Sequence, residues 1–234
     1  GEPIMCLAGK STINAKTGAM VQIYILRADI DPITAVQSGG DAAICGDCKL
    51  RGDGNGSHRV CYVQWFRAPF NIFNAKKEEM SLPAFAEAVR GKYVRVGAYG
   101  DPAAVPFTVW ALVCGTAKGW TAYTHQWRVC GPGYREFCMA SVDTPQEFED
   151  AQARGWRTFR VRLDSDPLYP NEIVCPAADE GGNRVTCRQC QLCRGTNRPA
   201  KSIAIYSHGP QAFHYGAIRG VEPLTLHRRR NYDG

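Results

Sequence analysis

Several things are missing from this 234-residue chain, and each absence excludes something. No apolar run approaches the roughly 20 residues that cross a bilayer as a helix. Neither GxxxxGK[ST] nor GxGxxG occurs, so the glycine loops that cradle nucleotide phosphates are not available. No internal repeat and no low-complexity tract is visible. Histidine is scarce, at five residues; His208 and His214 flank a Gly-Pro loop without a clear nucleophile partner, which leaves little support for a Cys–His protease site. There is no leader-like segment, and Gly1 in place of Met reads as a processed or tagged start. A formal net charge of +6 permits a polyanionic partner without demanding one. With 44% hydrophobic and 21% charged residues, the composition is that of an ordinary globular chain with a sizeable core. The length suits one α/β domain, or one domain with a small appendage.

Cysteine is what the chain does have. There are eleven, an odd number, and seven fall into two tight groups. Disulfide frameworks spread their cysteines, whereas clustered sets read as metal ligation by thiolates in a reducing, hence cytoplasmic, setting. The first group is Cys45, Cys48 and Cys61, in CGDC and RVCYV. Three thiolates leave one coordination position open. On an iron–sulfur cluster that iron can bind a substrate or cofactor; on zinc the fourth ligand would be His58, Cys6 or water. A structural zinc knuckle and a redox CxxC are the plainer readings. The second group is Cys175, Cys187, Cys190 and Cys193. Four thiolates close a shell for zinc or a four-iron cluster, which reads as structural, and Arg184, Arg188 and Arg194 would offset its charge. Cys114 and Cys138 read as core thiols, while Cys6 and Cys130 have no assigned role.

The hydrophobic pattern predicts strands at Val21 to Leu26, Tyr93 to Tyr99, Trp120 to Tyr123, Cys138 to Val142, Thr158 to Arg162, Ile173 to Cys175 and Ser202 to Tyr206. Helices are expected over Leu82 to Arg90, capped by Ser81; over Ala103 to Thr116; and from Pro145 to Arg154, where Thr144 and Glu147 form a capping box. A long Gly- and Asp-rich loop is expected over 31–74, carrying the first cysteine group. Asp29 and Asp31 could bind magnesium, but more simply cap a turn near Pro32. Asp164, Asp166 and Pro167 read as a turn. The alternation of strands and helices predicts an α/β fold, a partial parallel (β/α) barrel over 1–170. A cysteine-rich metal segment with a final strand follows over 171–221, then a basic tail over 222–234 containing Arg228, Arg229 and Arg230.

In such sheets the chemistry gathers at the carboxyl ends of the strands. Asp101, His125, Gln126, Trp127, Ser141, Asp143 and Cys175 all fall at or after predicted strand ends. Arg160 and Arg162 precede another.

In this order, the motifs resemble those of radical S-adenosylmethionine enzymes. The cysteine triad follows the first strand, and Cys61 precedes the aromatic Tyr62. VGAYGDPAAVP, with Tyr99, Gly100, Asp101 and Pro102, corresponds to the Gly-Gly-Glu-Pro stretch of that family. Ser141 and Asp143, in CMASVDT, match its ribose-side serine and acid. The likeness runs from Val21 to Cys193. CxxC followed by a twelve-residue gap replaces the usual CxxxCxxC, and Asp101 replaces Glu. The resemblance implies two four-iron clusters, the second auxiliary, with S-adenosylmethionine bound by Tyr62, Tyr99, Gly100, Asp101, Ser141 and Asp143. It implies that an electron from the first cluster cleaves the sulfonium, and that the adenosyl radical takes hydrogen from a substrate, with an electron donor as partner. Tyr99, His125, Gln126, Trp127, Arg160 and Arg162 are substrate candidates on the same rim, where aromatics beside arginines would suit a nucleotide or nucleic acid. The chain also resembles small uncharacterised proteins of bacteriophages and plasmids. The alternative is a zinc protein whose two thiolate sites brace a nucleic-acid- or protein-binding surface. A third reading keeps the clusters without the radical step, as a metal-assisted lyase or redox carrier.

Overall fold

The computed structural model describes residues 1–9, 15–75, 79–208 and 212–220; the predicted basic tail lies outside them. The chain forms a mixed α/β fold built on parallel strands. In the first sheet, β1 (Ile4–Ala8) runs antiparallel to β2 (Val21–Arg27). β2 is parallel to β3 (Tyr93–Tyr99), and β3 to β4 (Gly119–Thr121). The second sheet contains β5 (Tyr123–Thr124), β6 (Met139–Val142), β7 (Thr158–Arg162), β8 (Glu172–Val174) and β9 (Ser202–Tyr206). Its order is β5-β6-β7-β9-β8, and every pair is parallel. Ala122 alone separates β4 from β5. The seven expected strands are therefore present, the third divided at Ala122, and β1 adds an edge that the pattern did not announce.

The segment 31–74 is not the open loop its composition suggests. It holds three short helices, α1 (Pro32–Gln37), α2 (Ala42–Cys45) and α3 (Ala68–Asn74). Its polar residues serve helix ends: Asp31 accepts from the Ile33 and Thr34 amides at 2.8 and 3.1 Å and caps α1. Asp29 pairs with Arg27 at 2.7 Å. Both carboxylates thus have structural work rather than a shared cation.

The crossover helices include α4 (Leu82–Ala88) and α5 (Phe107–Thr116). α5 begins four residues later than expected, because Val105 precedes Pro106 and is held extended. α6 (Gly133–Phe137) precedes β6, and α7 (Pro145–Ala153) follows it. Thr144 caps α7 as predicted, accepting from the Glu147 amide at 3.1 Å. The reciprocal half of the capping box is displaced. Glu147 accepts instead from the Asp143 amide at 2.8 Å and from Lys49 at 2.8 Å.

Strands pack their non-cavity face under these helices. Ile23, Ile25, Val94, Val96 and Trp110 are almost wholly buried there. Each such side chain contributes about 1.5–3 kcal/mol. Trp110 also donates its indole N–H to the Pro102 carbonyl at 2.8 Å. The residues of 171–220 add β8 and β9 to the second sheet, together with α8 (Cys187–Cys190) and α9 (Tyr215–Ile218).

Candidate functional site

One cavity of about 710 Å³ is lined by both cysteine groups at once. Its floor follows the two-residue period of the strands: Gln22 and Tyr24 on β2, Arg95, Gly97 and Tyr99 on β3, then Thr121, Tyr123, His125, Ser141, Phe159, Val161 and Ile203. Every strand from β2 to β7, and β9 with them, presents one face to the same space. That volume lies in the ordinary range of small-molecule sites.

The twelve-residue gap in the first group is closed by local chemistry. The Val60 and Cys61 amides both bond to the Leu50 carbonyl, at 3.2 and 3.0 Å, which lays Cys61 beside the CxxC turn. Asp41, 1% exposed, clamps both limbs of the excursion. Its Oδ1 accepts from Arg51 Nη2 at 2.6 Å and its Oδ2 from Arg59 Nη1 at 2.7 Å. Within the turn, Gly46 has φ +58°, and a Cβ there would lie 2.4 Å from the Gln126 amide group. Glycine is what lets Gln126 donate to the Cys45 carbonyl and to Asp47, at 3.2 and 2.8 Å. Lys49 ties the turn to Glu147 of α7.

Burial raises the Cys45 and Cys61 thiols, and the neighbouring thiols add to this, while Arg59 opposes it. His125 faces Cys48 and stands 3.7 Å from Asp143. Burial disfavours its charged form, but Cys48, Asp143 and Asp101 outweigh burial and push its pKa up to about 10.

The turn after β3 departs from the role the resemblance gave Asp101. Its carboxylate is buried and spent inside the protein. Oδ1 accepts from Thr124 Oγ1 at 2.7 Å and the Ala103 amide at 2.9 Å, and Oδ2 from the His125 amide at 2.8 Å. Burial raises its pKa, against those hydrogen bonds. Asp101 therefore joins the ends of β3 and β5, and its own amide donates to the Ile44 carbonyl in α2. Gly100, at φ +80°, lies where a Cβ would come within 2.6 Å of the Ile25 carbonyl.

The second group comes together from two directions. Cys175 follows β8, and its amide bonds to the Ala204 carbonyl of β9. α8 carries Cys187 and Cys190, and a Thr186–Gln189 capping box opens that helix. The Cys193 carbonyl accepts from Ala122, between β4 and β5. Burial raises Cys175, Cys187 and Cys193, the last to about 12. Lys16 and Arg95, remote in sequence, act on these thiols, and Arg157 is coupled to Cys190 and Cys193. Arg95 also donates to the Tyr62 hydroxyl, beside the first group.

Of the residues singled out from sequence, all seven cysteines, Tyr62, Tyr99, Gly100, Asp101, Ser141 and His125 line the cavity. Asp143 stands just behind His125 and accepts from Tyr215 Oη at 2.8 Å. Gln126, Trp127, Arg160 and Arg162 do not line it. On β7 the odd positions Phe159 and Val161 face the cavity, so Arg160 and Arg162 face away. Arg160 is instead a buried partner of Glu172 at 2.6 Å and lies over Tyr169. Arg162 lies over Tyr206 and donates to the Asp166 carbonyl at 2.9 Å. Trp127 is core, donating to the Ser141 carbonyl at 3.0 Å. Tyr24, Arg95, Tyr123 and Lys16 were missed. The first three follow from strand parity, since Arg95 shares a face with Tyr99.

All eleven thiols are free. Among the described residues, no three His, Cys, Asp or Glu side chains form a cage tight enough for one metal ion. Both cysteine groups line the same cavity. Three buried donors also lack a protein acceptor here: Tyr99 Oη, Arg59 Nε and Arg95 Nε. Tyr99 and Arg59 lie by the first group, and Arg95 by the second. Unpaired donors and cations around clustered thiols suit an anionic, sulfur-rich group.

No protein-family model, curated protein or solved structure matches the chain.

Proposed function

We propose that this chain is an iron–sulfur enzyme of the radical S-adenosylmethionine kind, with its sheets wrapped as a partial barrel around the reaction chamber. The observation that carries the reading is the single cavity onto which both cysteine groups open, floored by consecutive parallel strands. Cys45, Cys48 and Cys61 would hold the catalytic cluster, and Tyr62, Tyr99, Gly100 and Ser141 line the same cavity. Cys175, Cys187, Cys190 and Cys193 would hold a second. The first such cluster, with S-adenosylmethionine, would supply the one-electron chemistry that cleaves the sulfonium, and the residues lining the cavity would position the substrate.

The protein's part is positioning. Asp41 and Leu50 set the three thiols, and Asp101 locks the turn after β3 to α2 and β5. Apolar walls from Phe159, Val161 and Ile203 keep water from the chamber. Free thiols throughout support a reducing compartment, and among the described residues no helix is long and apolar enough to cross a membrane.

The test uses anaerobically purified protein, reduced with dithionite. Added S-adenosylmethionine should change the electron paramagnetic resonance of the first cluster, and Cys61→Ala should remove that change. An iron-loaded protein whose spectrum ignores S-adenosylmethionine would overturn the radical step and leave a redox carrier or lyase.

A further inference from the structure

The far side of α8 carries a second feature. Between Gly181 and Lys201 the sequence has five cations and no carboxylate. Folding adds more. Lys118 and Arg188 both lie over the Tyr93 ring, at 5.6 and 5.4 Å, and the Lys118 amide bonds to the Lys92 carbonyl. Arg194 lies over Trp120 at 4.0 Å. Lys92, Lys118, Arg188, Arg198 and Lys201 are exposed.

This surface is built, not a loose tail. The guanidinium of Arg157 donates to the carbonyls of Leu192, Gly195, Ala200 and Lys201, at 2.6 to 2.9 Å, and so fixes the path of the whole segment. Like charges crowd there: burial and then Arg198 hold the Arg194 pKa down, and Arg198 acts likewise on Arg157. The backbone of Glu136, on α6, abuts Gly195, and Glu87 is paired with Arg90. Lys16, Arg95 and Arg157 act on the second thiol group, while Lys92, Lys118, Arg188, Arg198 and Lys201 stand open to solvent. Rings already covered by Lys118, Arg188 and Arg194 favour contact through charged tips rather than base stacking.

We infer that this face binds the phosphate backbone of a nucleic acid, through Lys92, Lys118, Arg188, Arg194, Arg198 and Lys201. Such binding is sequence-tolerant and strongly salt-dependent. It does not depend on the cluster chemistry. If both readings hold, a strand on this face runs beside the helix whose Cys187 and Cys190 line the chamber, which makes a nucleotide of that strand the substrate class.

Fluorescence anisotropy with labelled 20-nucleotide single-stranded RNA, single-stranded DNA and duplex DNA tests this at 50 to 200 mM salt. Wild-type protein should bind at least one of them, weakening at least ~10-fold over that range if several phosphates are contacted. The Lys118→Glu/Arg188→Glu/Arg198→Glu variant should bind at least ~30-fold more weakly with a shallower salt slope. The Arg128→Glu/Arg154→Glu control, which changes the net charge by about −4 against about −6, should lose far less per charge altered. Single Arg188→Gln and Arg198→Gln variants give the same reading if the triple variant does not fold, each reducing the salt slope by about one. No wild-type binding to any of the three probes, or equal losses per charge altered in the face variants and the control, would overturn the assignment. Because binding is read on protein with or without Cys61, failure here is distinguishable from failure of the radical reading.

Discussion

The two cysteine groups line one cavity but are assembled in opposite ways. The first is local. Its three thiols lie on one excursion between β2 and α3, and Asp41, Arg51, Arg59 and Leu50, all from that excursion, fix it. The second is distributed. Its four cysteines follow β8 and span α8, its cations come from Lys16 and Arg95, and its last member is bonded at the junction of the two sheets. Removing a thiol from the locally held group should cost the fold less than removing one from the group wired into the sheet. That difference suits an exchangeable, open centre for the first group and a permanent one for the second.

The comparison breaks most visibly by removing a ligand from each side. Cys193→Ser should lower stability in urea by several kcal/mol, because it alters a buried residue against the sheet and opens a four-thiolate site. Cys61→Ser should leave the unfolding midpoint nearly unchanged while abolishing the S-adenosylmethionine response. Equal destabilisation by both would contradict the local-against-distributed account.

Next in size is the clamp of the first group. Asp41→Ala leaves Arg59 buried and unpaired, and should cost about 3–5 kcal/mol by the usual toll of a broken buried pair. Iron should be lost from the first site alone, as read by metal analysis against urea-unfolding curves. Gly100→Ala should cost about 1–3 kcal/mol, from a left-handed φ and contact with Ile25, and should disturb the turn beside the first group.

The smallest effect concerns the Lys49–Glu147 tie. Burial works against the Glu147 carboxylate, but Lys49, the Asp143 amide and Arg128 hold its pKa below the ordinary 4.5. The folded state then binds fewer protons than the unfolded one, so this contribution is present above about pH 4.5 and fades as pH falls through the depressed folded value. Melting temperatures between pH 3 and 6 should fall less steeply on acidification in Glu147→Gln than in wild type.

Strand positions and cysteine grouping were legible from the chain because β-branched runs and CxxC spacings are local signals. The α/β class and parallel strands followed from the alternation of elements. Three features were not legible. The helices inside 31–74 are short, and the first is capped by Asp31, a residue type that also marks loops. The parity of β7 decides that Arg160 and Arg162 turn from the chamber, and arginine on a strand end gives no sign of its face until the register with β6 and β9 is known. The convergence of both cysteine groups depends on α8 meeting the start of β4, a long-range contact with no periodic signature. Arg95 could have been found, since Tyr99 and Gly97 share its face.

The most direct test of the central claim is the iron, acid-labile sulfide and zinc content of protein purified without oxygen, together with its visible spectrum. The account predicts a brown protein with about eight iron and about eight sulfide per chain, as two four-iron clusters require, and about half of each in Cys61→Ala. A colourless protein with about two zinc ions and no sulfide would contradict it, and would assign both thiolate sites to structure alone.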